Sequence, residues 1–134
     1  MSILKVFLKF TIKVLVLSLL LGGIHCIIAT QVVINLPATV IFEMYAYILI
    51  ITVLAYAAIL VVGKRDFDKI GFAYAGLVLI KMMISFAFLY PFLKSPEYEV
   101  KEVVFNFFAI YLLFVFFEAR EAYLLIQKGP FTPQ

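Results

Sequence analysis

GFAYAGLVLIKMMISFAFLYPFL, from Gly71 to Leu93, is the stretch that decides how the chain is read. A helix rises ~1.5 Å per residue, so ~20 residues cross the ~30 Å hydrocarbon core of a bilayer, and this run is long and apolar enough to do so. Lys81 stands near its middle. An ammonium at that depth costs about 2.5–3.5 kcal/mol on insertion scales. A span carrying that cost calls for a partner charge or a wet cavity, and the other spans must supply it.

Working outward, 66% of the 134 residues are hydrophobic and 14% are charged, whereas a soluble domain is about a quarter charged. With a mean hydropathy of +1.17, the chain reads as one integral membrane domain over residues 1–134, an all-α four-helix bundle. Spans are expected at about 6–28, 39–62, 71–93 and 101–127, the last turns of the fourth lying in the headgroup layer. Pro37 fits the start of the second span. The Gly63–Lys69 loop joins spans two and three as a hairpin, Pro91 kinks or ends span three, and the tail after Gly129 is extended or disordered. The basic start followed by an apolar run is similar to a signal peptide, but the run is long for one, and it is taken as an uncleaved first span. His25 stands where a lipoprotein cleavage site at Leu21–Cys26 would need a small residue, which excludes that site. Cys26 is the single cysteine, so neither an intrachain disulfide nor a cysteine-pair metal site is available.

Lys and Arg divide unevenly between the two sides. Lys5, Lys9, Lys13, Lys64, Arg65, Lys69, Arg120 and Lys128 fall on one side, Lys94 and Lys101 on the other. The positive-inside rule then places both termini and the 63–70 loop in the cytoplasm. Lys5, Lys9 and Lys13 recur every four residues and share a face, where they can snorkel or meet anionic lipid. The net charge of +3 is small, and no nucleic-acid partner is expected.

Depth suggests which acid answers Lys81. Counted from the outer ends of the spans, Lys81 lies about 18 Å deep, Glu118 about 22 Å, Glu43 about 6 Å and His25 about 5 Å. Glu118 is the acid nearest in depth and lies on the next span, so a Lys81–Glu118 ion pair is expected, with Glu121 one turn deeper able to share it. Such a pair either fixes the rotation of two helices or serves ion or proton movement or a partner protein; a snorkelling Lys81 is the remaining alternative. His25 and Glu43 form a second candidate, a polar pair near the outer face, and Asn106 can hydrogen-bond between helices. Phe105, Phe108, Leu112, Val115 and Phe116 have helical spacing on span four and offer a face to a partner helix, to lipid or to the bundle itself.

No glycine-rich phosphate loop, HExxH or GxSxG is present, and no catalytic role, metal or cofactor is expected. The internal Lys-Met-Met (Lys81–Met83), the short polar outer loop and VVFNFFAIYLLFVFFEAREAYLLIQK (Val103–Lys128), together with the basic start and four-span layout, resemble the bacterial ATP synthase subunit I of the AtpI/UncI type. The likeness is carried mainly by Lys81–Lys128. It implies a non-catalytic accessory protein of the bacterial inner membrane that assists assembly of the synthase c subunits into their ring, with magnesium supply as a further suggested role. The readings that compete with it are a small oligomeric transporter or channel for Mg2+ or protons using Lys81, Glu118, Glu43 and His25, and an auxiliary subunit of another membrane complex. Small residues on spans two and three leave a homo-oligomer open.

Overall fold

The computed structural model describes residues 2–31 and 37–130. It consists of α1 (Ile3–Gln31), α2 (Ala38–Arg65), a single 3-10 turn (Phe67–Lys69), α3 (Ile70–Lys94) and α4 (Val100–Lys128). All four long helices are apolar and long enough to cross a membrane. The tail beyond Pro130 and the centre of the connection between α1 and α2 lie outside the described residues.

Each helix buries a narrow stripe. On α4 the buried positions are Val103, Phe107, Ile110, Tyr111, Phe114, Glu118, Glu121, Ala122 and Leu125, a spacing of one, three and four residues that keeps one face turned to its neighbours. The stripe of α2 runs through Ile41, Met44, Tyr45, Ile48, Thr52, Tyr56 and Ile59, and that of α1 through Val6, Phe10, Val14 and Ser18. On α3 it is thinner: Ile70, Lys81, Ser85 and Leu89. Lys81 therefore occupies a core position of its helix.

Successive helices run antiparallel. Phe10 of α1 stacks on Tyr56 of α2 with ring centroids 3.7 Å apart, while His25, further along α1, reaches Tyr45, nearer the start of α2. Tyr47 of α2 stacks on Phe88 of α3 at 4.1 Å, and Phe88 meets Phe107 of α4 at 6.0 Å. α2 packs against each of the other three helices. In lipid the hydrophobic effect does not drive helices together, so these ring contacts and close packing hold the bundle.

The ends differ from the sequence expectation by a few residues. α2 continues through Gly63 to Arg65, because Lys64 and Arg65 favour the negative end of a helix dipole and Asp66 donates its backbone N–H to the Val62 carbonyl. The expected 63–69 loop thus shrinks to Asp66 and one 3-10 turn. Pro91 does not end α3, which runs on to Lys94. Pro37 caps α2 in an extended conformation, and α4 stops at Gly129, whose φ of 83° suits glycine.

Candidate functional site

The α3 and α4 stripes meet at Lys81 and Glu118. Lys81 Nζ donates to both Glu118 carboxylate oxygens at 2.6 Å, and the two side chains are only 3% and 5% exposed. Both charges are consumed in one fork of charge-assisted bonds. At ~1.5 Å per residue, Lys81 is about 17 Å from the start of α3 and about 20 Å from its end, the middle of the apolar span. The Tyr111 ring stands 5.8 Å from the ammonium and adds a weak cation–π contact. Tyrosines clamp the same interface from both sides: Tyr74 donates to the Val115 carbonyl at 3.1 Å and Tyr111 to that of Val78 at 3.4 Å. Beside the pair lies Thr52 of α2, fully buried. Its hydroxyl is near enough to interact with Glu118, yet the geometry falls short of a hydrogen bond. One turn along α3 from Lys81, Ser85 Oγ lies 3.1 Å from the Tyr47 hydroxyl of α2.

Glu121 does not share Lys81. Three residues past Glu118 the helix has turned by about 300°, and Glu121 faces α1, where Lys13 Nζ donates to it at 3.0 Å. Arg120 donates to its other oxygen at 3.3 Å. Glu121 is 5% exposed and Lys13 50%, so this second pair opens outward at the end of the bundle that also carries Lys9 and Lys128.

His25 and Glu43 are not brought together. His25 Nε2 meets Asn106 Oδ1 at 2.7 Å, and Nδ1 lies 3.0 Å from the Tyr45 hydroxyl, which itself reaches the Leu21 carbonyl at 3.2 Å. Glu43 is exposed, because the inward stripe of α2 passes through Ile41, Met44 and Tyr45 and turns position 43 to the outside. Asn106 Nδ2 donates to the Glu102 carbonyl at 2.7 Å, which turns Oδ1 towards the imidazole. Nε2 then carries the hydrogen donated to Asn106 Oδ1, while the single hydrogen of the Tyr45 hydroxyl is directed at the Leu21 carbonyl and its oxygen lies within hydrogen-bond distance of Nδ1. Asn106 thus joins α4 to α1, and Tyr45 completes a three-helix network with no acid in it.

The face proposed for a partner helix is mostly outward. Phe105 and Phe116 are 73% and 71% exposed, and Phe108 and Leu112 are exposed with them, whereas Val115 is half-buried against the core. Among the described residues no three His, Cys, Asp or Glu side chains group as metal ligands.

Fold and interior together define a class: an all-α bundle of four helices able to cross a membrane, closed around a buried Lys–Glu pair. Compared with known proteins, the chain matches no family model, no curated protein and no solved structure.

Proposed function

We propose that this chain is a non-catalytic, multi-pass accessory protein of the bacterial inner membrane, with both termini cytoplasmic, which assists assembly of a larger membrane complex. The lopsided distribution of Lys and Arg supports the orientation. Resemblance to ATP synthase subunit I makes the c subunits the partner of choice.

One observation carries the reading: the charges in the middle of the spans are closed on each other, with both Glu118 oxygens held by Lys81 and both side chains nearly sealed. A carboxylate that loads and releases an ion has to meet water or the ion during its cycle. A forked, buried pair instead sets the rotation of α3 against α4, and this leaves Phe105, Phe108, Leu112 and Phe116 facing out, available to another helix.

The test is purification of the tagged protein in mild detergent with mass spectrometry of its companions. Recovery of c subunits, lost when Phe105 and Phe116 are changed to Ala, supports the reading. Recovery of one stoichiometric partner unrelated to the synthase reassigns the protein to another complex. Recovery of a lone homo-oligomer that conducts Mg2+ or protons in liposomes overturns the reading in favour of transport.

A further inference from the structure

At the basic end of the bundle, α1, α2 and α4 enclose a recess lined by Lys9, Lys13, Tyr56, Glu121 and Lys128, with Val6, Phe10, Leu124 and Leu125 as its apolar wall. Its free space is about 40 Å³, where a single water needs roughly 10–15 Å³. A phosphate-sized group fits; a whole lipid does not. Glu121 is already held by Lys13 and Arg120, so its charge is answered. Lys9 and Lys128, both exposed, stand at the rim without an ion-pair partner among the described residues. Tyr56 supplies the second, independent observation. It is 4% exposed and lines the recess, its ring held in place by stacking on Phe10.

We infer that this recess binds the phosphate of an anionic phospholipid, with Lys9, Lys13 and Lys128 contributing charge and the Tyr56 hydroxyl donating a hydrogen bond. The chemistry recognised is a phosphoryl oxygen beside an apolar wall. A phospholipid presents both at once: its phosphate enters among the lysines while its glycerol and first methylenes lie along Val6 and Leu125. Lys13 has two tasks in this arrangement, neutralising Glu121 and facing the phosphate, which keeps net positive charge at the rim. Basic pockets between membrane helices are suited to such headgroups. The inference rests on the reading of this end as the membrane–water boundary and is independent of the assembly role.

The full-length protein is purified in mild detergent, and its retained lipids are measured by native mass spectrometry after exposure to phosphatidylglycerol, cardiolipin or phosphatidylcholine. Phosphatidylglycerol or cardiolipin should be retained over phosphatidylcholine. Retention should weaken by about tenfold or more in the Lys9→Gln/Lys128→Gln variant, at the strength expected of lysines near a headgroup. Tyr56→Phe, which keeps the ring against Phe10, should weaken it several-fold. Lys64→Gln/Lys69→Gln, at the same end but outside the recess, should leave it unchanged. Equal retention of all three lipids, or equal loss in the Lys64/Lys69 control, would overturn the site in favour of diffuse surface charge. Displacement of the lipid by millimolar inorganic phosphate would overturn the lipid assignment in favour of soluble phosphate. Because no partner protein enters this assay, its failure is separable from failure to capture c subunits.

Discussion

Lys81 Nζ sits 2.6 Å from both carboxylate oxygens of Glu118, where the buried stripes of α3 and α4 cross. Two core positions, one on each helix, are given to opposite charges. The pair discharges the cost of an ammonium in the middle of a span, and it admits few relative rotations of the two helices.

Removing one member leaves the other charge buried alone, and breaking a buried pair in this way costs about 3–5 kcal/mol. Lys81→Met and Glu118→Leu should each lower stability by an amount of that order. The joint Lys81→Met/Glu118→Leu variant should recover most of the loss, since a buried pair seldom outperforms well-packed apolar residues. Unfolding by denaturing detergent, followed by circular dichroism, closes the double-mutant cycle. Additive losses would mean that the two side chains do not depend on each other.

Thr52 is fully buried, and its hydroxyl makes no hydrogen bond. Thr52→Val keeps the shape and removes the polar group, so stability should hold or rise by up to about 1 kcal/mol. The same detergent titration reads it. A loss above about 1 kcal/mol would show that the hydroxyl bonds Glu118 after all.

Asn106 fixes His25 from across the bundle. Asn106→Leu should cost about 0.6 kcal/mol and at most about 1.7 kcal/mol, the average and the maximum for hydrogen bonds between membrane helices. Tyr45→Phe should cost less, because Asn106 still holds the imidazole. Glu43→Gln should cost nothing measurable. An effect of Glu43→Gln as large as that of Asn106→Leu would restore the acid to the histidine's environment.

Orientation is open to chemical labelling. In a Cys26→Ala background, Lys69→Cys should react with a membrane-impermeant thiol reagent only from the cytoplasmic side of inverted vesicles. Glu97→Cys should react only in intact spheroplasts. The reverse pattern would invert the topology and move the lysine-rich recess to the outer surface.

Much of the architecture could be read beforehand from length and hydropathy alone. Four runs of sufficient length separated by Pro37, the Asp66 turn and the Ser95–Glu99 connection admit little but four helices, and rise per residue put Lys81 and Glu118 at similar depth. Depth says nothing about azimuth, however, and azimuth decides the rest. Glu43 and His25 share a depth but not a direction, because position 43 falls off the inward stripe of α2. Glu121 lies one turn beyond Glu118 and faces a different helix. The signal that resolves both cases is the three-four spacing of buried positions. Counted from Ile41, it marks Tyr45, Thr52 and Tyr56 as interior, three polar side chains that charge alone does not single out. The recess at the basic end is less legible still, since it is assembled from three helices distant in sequence.

The most direct test of the architectural pair and the accessory role is a side-by-side comparison of wild-type protein and the Lys81→Met/Glu118→Leu variant. Both are assayed for recovery of c subunits from membranes and for Mg2+ and proton flux in liposomes. Both proteins should recover c subunits, and neither should conduct. Flux through the wild type that disappears in the folded variant would contradict it and make Lys81 and Glu118 part of a transport path.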